Sequence, residues 1–93
     1  MSVYRVIVKG AGKKVFYRLP QNFQQEILNI FFDLSINPYR RDFPIKKLSG
    51  FVDAYRLRIE RWRVLYRVDD GNHAIEILDI FLKKGKDDYR RKL

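Results

Sequence analysis

Arginine side chains alternate with apolar ones along two neighbouring segments of the chain, residues 55–60 and 62–68. A period of two is typical of β-strands that bury one side, and it puts Arg56, Arg58 and Arg63 on the other side. A guanidinium group offers a rigid fork of hydrogen-bond donors and stays charged at physiological pH. A cluster of such groups suits the binding of phosphate and the stabilisation of negative charge that develops on it during a reaction.

The turn between the two segments decides whether these arginines meet. If residues 60–61 form a tight hairpin, Arg58 faces Arg63 and Arg56 faces Leu65. Like charges on facing residues destabilise a sheet by about a few tenths to 1 kcal/mol, so folding alone gives no reason for the pair. We therefore predict that the pair binds phosphate. A three-residue turn would instead reverse the register and separate the two arginines.

The next hairpin offers a structural explanation for Arg63. The sequence Asp-Asp-Gly-Asn at residues 69–72 is a strong turn signal. A loop over residues 69–73 would place Arg63 opposite Asp79 on the following strand. That ion pair could be purely structural, or the carboxylate could hold the arginine fork in position for a ligand. The sequence leaves both interpretations open.

The elements that position these residues can be predicted from apolar spacing and turn residues. They are a strand over Val3–Lys9, a helix over Ala11–Leu19, a helix from Pro20 or Gln21 to Ser35, a loop over Tyr39–Gly50, the two arginine-bearing strands, a strand over Ala74–Leu82 and a helical turn over Asp87–Lys92. The longer helix carries one apolar stripe, which we expect to lie in the core. The order predicts one α+β domain over residues 1–93, β-α-α-β-β-β, with two helices packed on one face of a mostly antiparallel four-stranded sheet and a short C-terminal helical turn.

The net charge narrows the class of partner. Lys and Arg number 20 against 11 Asp and Glu, which gives a net charge of +9. In a chain apolar enough to fold, this balance favours nucleic acid, an anionic membrane or an acidic protein, the alternative being a merely soluble basic surface. No apolar run approaches the ~20 residues that cross a bilayer, and the N-terminus has no secretory pattern. We expect no membrane association and a cytoplasmic protein.

The residue types of the chain give little indication of a metal ion or a cofactor. The chain has no Cys and a single His, His73, which lies in or beside the predicted turn. A zinc site needs more ligands of these types. The glycines within residues 9–14 lack the spacing and the following hydroxyl of a nucleotide-binding loop. We therefore expect no metal ion and no cofactor.

Several motifs resemble the RelE/ParE toxin superfamily. They are Lys47–Gly50, Tyr55–Ile59, Trp62–Val68, Ile75–Ile80, Lys83 and Asp88–Arg90. The resemblance covers roughly residues 46–91, and the preceding order of strand, helix and helix agrees with it. The strand that contains Arg63 also occurs in ParE-like members, so the resemblance is more specific for the superfamily than for the subtype.

The resemblance implies a ribosome-dependent endoribonuclease that cuts mRNA in the ribosomal A site and leaves a cyclic phosphate and a 5′-hydroxyl. It also implies a RelB-like antitoxin that neutralises the toxin, and it allows a heterotetramer of the two proteins. By motif, the catalytic residues would be Arg56, Arg58, Arg63, Lys83 and Tyr89. The alternatives are a ParE-like inhibitor of DNA gyrase and an inactive relative that only binds a partner.

Two departures from the family pattern affect proton transfer. Better-known members have lysine on the first arginine-bearing strand, where this chain has Arg56 and Arg58, which are far harder to deprotonate. They have arginine before the C-terminal tyrosine, where this chain has Lys83. These differences shift the expected proton-transfer role toward Lys83 or Tyr89.

Overall fold

Five strands and two helices are formed by residues 3–83, the part of the chain that the computed structural model describes. In chain order they are β1 (Arg5–Val8), α1 (Gly10–Arg18), α2 (Gln21–Ile36), β2 (Ile45–Lys47), β3 (Ala54–Ile59), β4 (Trp62–Asp69) and β5 (Ala74–Leu82). The described strands form one sheet in the order β1-β5-β4-β3-β2, in which β1 pairs parallel with β5 and the other pairs are antiparallel. This arrangement confirms the predicted α+β class. The helical turn predicted for residues 87–92 lies outside the described residues.

The helices begin and end within one residue of their predicted bounds. Leu19 is extended (φ −75°, ψ 152°), because the ring of Pro20 disfavours helical backbone in the residue before it. The carbonyl oxygen of Pro20 then accepts a hydrogen bond from the N–H of Phe23, and this bond forms part of the first turn of α2. In α1, Gly12 packs against β5, where a Cβ atom would make ordinary van der Waals contact with the Cα of Asp79 at 3.5 Å. Neither helix has the length and apolar character needed to cross a membrane.

The core lies between the two helices and one face of the sheet, which we call the covered face. The apolar stripe of α2 supplies Ile27, Phe31 and Leu34, which are buried with apolar residues of β3, β4 and β5. Tyr66 is fully buried among them, and its hydroxyl donates a hydrogen bond of 2.9 Å to the carbonyl oxygen of Pro38. Burial raises the pKa of Tyr66, so the hydroxyl remains a donor at physiological pH. This bond ties the segment after α2 to the middle of β4.

The prediction of a loop over residues 39–50, and of four strands, was wrong in one respect. Ile45–Lys47 forms a fifth strand that pairs antiparallel with β3 and places Lys46 opposite Arg56. Ile45 packs against the core, whereas Lys46 lies on the other face and is exposed. A three-residue edge strand directly after Pro44 has too few side chains to show a period of two, and so the sequence did not reveal it.

The predicted pairing of Arg63 with Asp79 was also wrong. The loop between β4 and β5 spans residues 70–73, one residue fewer than predicted, and a β-bulge at Leu78 shifts the register by one further residue. As a result, Arg63 faces Phe81, and Asp79 faces Leu65, two residue pairs further along the strands. A bulge inserts one unpaired residue into a strand, so register arithmetic that assumes regular pairing fails beyond it.

Candidate nucleic-acid interface

The face of the sheet opposite the helices, which we call the open face, carries the predicted arginines. β3 and β4 pair in the predicted register, with Arg58 facing Arg63 and Arg56 facing Leu65. This register confirms the tight turn. Arg58 is exposed, while Arg56 and Arg63 are half-buried. Neither Arg58 nor Arg63 forms an ion pair with a carboxylate within residues 3–83.

The turn that sets this register is supported by Arg63 itself. Glu60 has a φ of 55°, in the left-handed region that residues with a side chain seldom adopt. The Nη1 of Arg63 donates hydrogen bonds to the carbonyl oxygens of Glu60 (3.1 Å) and Trp62 (2.9 Å). These are the hydrogen bonds that the Arg63 guanidinium makes within residues 3–83. Its Nε is buried and makes no hydrogen bond within residues 3–83.

The positive charges of the cluster repel one another. Burial, and then repulsion by the guanidinium groups of Arg56 and Arg58, lowers the pKa of Arg63 below its ordinary value. Arginine nevertheless stays protonated at physiological pH, so the lowered pKa reflects crowding of charge and not its loss. An anion bound among the three groups would relieve this repulsion, because an opposite charge favours the charged form of each.

A small apolar cluster borders the arginines on the open face. Its buried members are Leu48, Ala54, Leu65 and Phe81. Phe51, from the loop between β2 and β3, packs against it. Because Phe81 faces Arg63 and Leu65 faces Arg56, apolar groups lie directly beside two of the arginines. Charges next to such a surface are less screened than charges in open water, which strengthens their attraction for phosphate.

The two remaining predicted catalytic residues lie at or beyond the end of the described chain. Lys83 follows β5, and its backbone N–H donates a hydrogen bond of 3.1 Å to the carbonyl oxygen of Arg61, in the turn between β3 and β4. The backbone of Lys83 therefore lies beside the turn that Arg63 supports. Tyr89 is outside the described residues, so its approach to the arginines stays a prediction.

Sequence reasoning missed one basic residue of the open face. Lys46 faces Arg56 from the edge strand β2 and forms no ion pair within residues 3–83. The adjacent Lys47 is also exposed, but it lies on the opposite side of the strand. Once β2 is recognised, the position of Lys46 follows from its neighbour: Ile45 packs against the core, so the next residue, Lys46, lies on the open face.

The acidic turn and the single histidine have structural explanations. Asp70 accepts hydrogen bonds from the hydroxyls of Tyr4 (2.5 Å) and Tyr39 (2.7 Å), and these bonds lower its pKa. His73 stacks on Tyr4 with ring centroids 3.9 Å apart. Among residues 3–83, no three His, Asp or Glu side chains come close enough together to hold a metal ion.

Comparison with known families agrees with this arrangement. A family model described as the ParE toxin of the type II toxin–antitoxin system parDE, a class of small toxins, matches residues 8–87. That match includes both helices and β2 to β5. The chain therefore belongs to the ParE toxin family, within the RelE/ParE superfamily that its motifs resemble.

Individual relatives carry the RelE name. Toxin RelE of Mycobacterium tuberculosis is 32% identical over 79 residues, which are 83% of this chain and 78% of that protein. A chain of the archaeal RelE–RelB complex from Pyrococcus horikoshii is 29% identical, with a TM-score of 0.78 over 90% of this chain and 99% of that chain. A chain of the toxin–antitoxin complex RelBE2 from M. tuberculosis is 26% identical, with a TM-score of 0.73 over 89% and 94% of the two chains.

Proposed function

We propose that this protein is a toxin that cuts mRNA on translating ribosomes without a metal ion. One observation carries the proposal: Arg58 and Arg63 face each other on the open face, with Arg56 beside them, and neither member of the pair is neutralised by a carboxylate within residues 3–83. A sheet gains no stability from such a pair. Forked guanidinium donors, in contrast, bind phosphate through paired, charge-assisted hydrogen bonds.

The proposed reaction uses the 2′-hydroxyl of the RNA as the nucleophile. Its oxygen forms a bond to the neighbouring phosphorus, and the bond from that phosphorus to the 5′-oxygen of the next nucleotide breaks. The products are a cyclic phosphate and a 5′-hydroxyl. The protein must take one proton, return one, and stabilise the negative charge on the pentacoordinate phosphorus. We assign the stabilisation of charge to Arg58 and Arg63.

Proton transfer falls to the remaining residues of the proposed site. Tyr89 is the proposed acceptor of the 2′-hydroxyl proton, since neighbouring positive charge favours the deprotonated form of a tyrosine. An alternative role for Tyr89 is to stack on a base. Lys83 or Arg56 would assist protonation of the leaving 5′-oxygen. The backbone position of Lys83, beside the turn that Arg63 supports, is compatible with this role.

Substitution of Arg63 tests the site. Arg63→Ala should lower kcat/KM for cleavage of mRNA on translating ribosomes by about a hundredfold or more, as loss of a charge-stabilising donor does in other enzymes. Arg67→Ala is the matched control, because Arg67 lies on the same strand and the same face but opposite Ala54. The control should keep most of the activity. Full cleavage and growth arrest by Arg63→Ala would refute the assigned site.

Inhibition of DNA gyrase is the second candidate, and the match to the ParE family model favours it. A gyrase inhibitor would stop DNA supercoiling while leaving mRNA intact, and its activity would survive Tyr89→Phe. Incubating the purified protein in parallel with gyrase and with translating ribosomes separates the two functions. Inhibition of supercoiling without mRNA cleavage would replace the first proposal by the second.

An acidic antitoxin is the proposed protein partner. The two structural relatives described above are chains of toxin–antitoxin complexes, which supports such a partner here. The helical side of the molecule exposes large apolar residues, among them Tyr17 (69% exposed) and Leu28 (47% exposed), which line a cavity of about 260 Å³. Co-expression with an acidic protein from the neighbouring reading frame should abolish growth arrest and yield a stable complex. Persistent toxicity in its presence would contradict this proposal.

A further inference from the structure

We propose that Lys46 binds the RNA backbone beside the cleavage site, so that the strand leaves the arginine cluster across β2 at the edge of the sheet. The inference rests on the proposed function. It adds a positioning residue that lies outside the arginine motifs and that becomes recognisable only through the pairing of β2 with β3.

A second pair of like charges marks this part of the open face. Lys46 faces Arg56 across β2 and β3, just as Arg58 faces Arg63 across β3 and β4. Facing residues hold their Cβ atoms about 4.5–5.5 Å apart, and like charges at that distance oppose sheet formation. Two such pairs in adjacent strand pairs form a continuous band of positive charge from β4 to the edge at β2.

The acids that the strands place on the open face lie on β5 and at the end of β4. Glu76 and Asp79 belong to β5, where Glu76 forms an ion pair of 3.2 Å with Lys9, and Asp69 is the last residue of β4, six residues beyond Arg63. β2 and β3, in contrast, contain no acidic residue. The electrostatic potential of the open face is therefore more positive toward β2 than toward β5. A polyanion that contacts the arginines is drawn toward β2.

The distance suits a phosphate next to the scissile one. Lys46 lies two strands away from Arg63 and two residue pairs along the strands, which puts their backbones about 12 Å apart for ordinary strand spacing. At this separation, Lys46 can reach the phosphate next to one that Arg63 binds. Its ammonium group is a compact charge on a flexible stem, which suits contact with a backbone phosphate without the geometry that bidentate binding requires.

A matched pair of substitutions tests the contact. Lys46 and Lys47 are adjacent and exposed and carry the same charge, but they lie on opposite sides of β2. Lys46→Gln should raise KM for mRNA cleavage on programmed ribosomes by about fivefold, the upper end for an exposed charge contact, with kcat nearly unchanged. Lys47→Gln should change KM much less, and Lys46→Arg should restore it. Equal effects of Lys46→Gln and Lys47→Gln would overturn the inference, because only the net charge would then matter.

Neutral linkages in the RNA identify what Lys46 contacts. Synthetic mRNAs with a single methylphosphonate linkage are prepared, one for each linkage flanking the cleavage site. At one of these positions, the neutral linkage should lower mRNA cleavage by the unsubstituted protein about as much as Lys46→Gln does. Combining the neutral linkage with Lys46→Gln should then cause no further loss of cleavage. Additive losses at every position would overturn the inference, since Lys46 would then contact ribosomal RNA or protein. If the unsubstituted protein cleaves no mRNA at all, the proposed function itself fails.

Discussion

The two faces of the sheet are built from the same strands, but one face packs apolar side chains and the other places like charges opposite each other. On the covered face, Leu57, Val64 and Tyr66 are almost completely buried, and they pack together in the main apolar cluster. On the open face, Arg58 faces Arg63 and Lys46 faces Arg56, although like charges in these positions weaken a sheet. The comparison separates residues that hold the fold together from residues that are kept despite a cost to the fold.

The largest effect on folding should come from the centre of the covered face. Leu57 is 1% exposed and packs in the main core. Leu57→Ala should reduce the free energy of unfolding by about 2–5 kcal/mol, because the substitution removes apolar contacts and leaves a cavity. Urea unfolding followed by circular dichroism measures it. A loss below about 1 kcal/mol would mean that the covered face does not carry the stability of the domain.

A buried hydroxyl on the same face should have the next largest effect. Tyr66→Phe leaves the carbonyl oxygen of Pro38 without its hydrogen bond, which should lower stability by about 1–3 kcal/mol. Tyr55→Phe is the control, since Tyr55 stacks on Tyr66 but its hydroxyl donates no hydrogen bond within residues 3–83. If the two substitutions proved equally harmful in urea unfolding, the bond to Pro38 would not be the cause.

The open face should respond in the opposite direction. Arg58→Gln removes one member of a like-charged pair, so stability should stay the same or rise by up to about 1 kcal/mol while mRNA cleavage falls. Arg67→Gln, on the same face, should bring no such gain because Arg67 faces Ala54 and Glu76. Thermal unfolding of both variants, at low salt, makes the comparison. A clear loss of stability in Arg58→Gln would show that the arginine is needed for folding.

The smallest effect should be a dependence of stability on acidic pH. Hydrogen bonds from Tyr4 and Tyr39 lower the pKa of Asp70 in the folded protein, so the unfolded chain binds the proton more readily. The contribution of Asp70 is therefore complete above the ordinary pKa of an aspartate, about 3.9, and is lost as pH falls through the folded value. Asp70→Asn should flatten the stability profile in this range, and Tyr4→Phe should flatten it partly. If the dependence of stability on pH were unchanged in Asp70→Asn, Asp70 would not be its cause.

Regular alternation made most of the arginine face predictable. Pairing around a two-residue turn fixes every later pair, so Arg58 and Arg63 could be placed opposite each other from the sequence. The partner of Arg63 on β5 could not be placed in this way, because the bulge at Leu78 breaks the regular pairing. Its trace is the three-residue gap between Ile77 and Ile80, where the apolar spacing should be two.

Short and irregular pairing accounts for what the sequence did not reveal. β2 has three residues and a single half-buried apolar side chain, which is too little for a periodic signal, so Lys46 went unrecognised. The helices were placed well because Pro20 separates them and because α2 is long enough to show its apolar stripe. Tyr89 was assigned by resemblance and lies outside the described residues.

The parallel pairing of β1 with β5 has a consequence for synthesis of the chain. The first described strand lies at the edge of the sheet and finds its partner only in the last, so the helices that follow β1 cannot pack against a finished sheet until nearly all of the chain has emerged. Contacts between such distant parts of a sequence slow folding. A nascent chain that stops before β5 therefore lacks the strand that pairs with both β1 and β4.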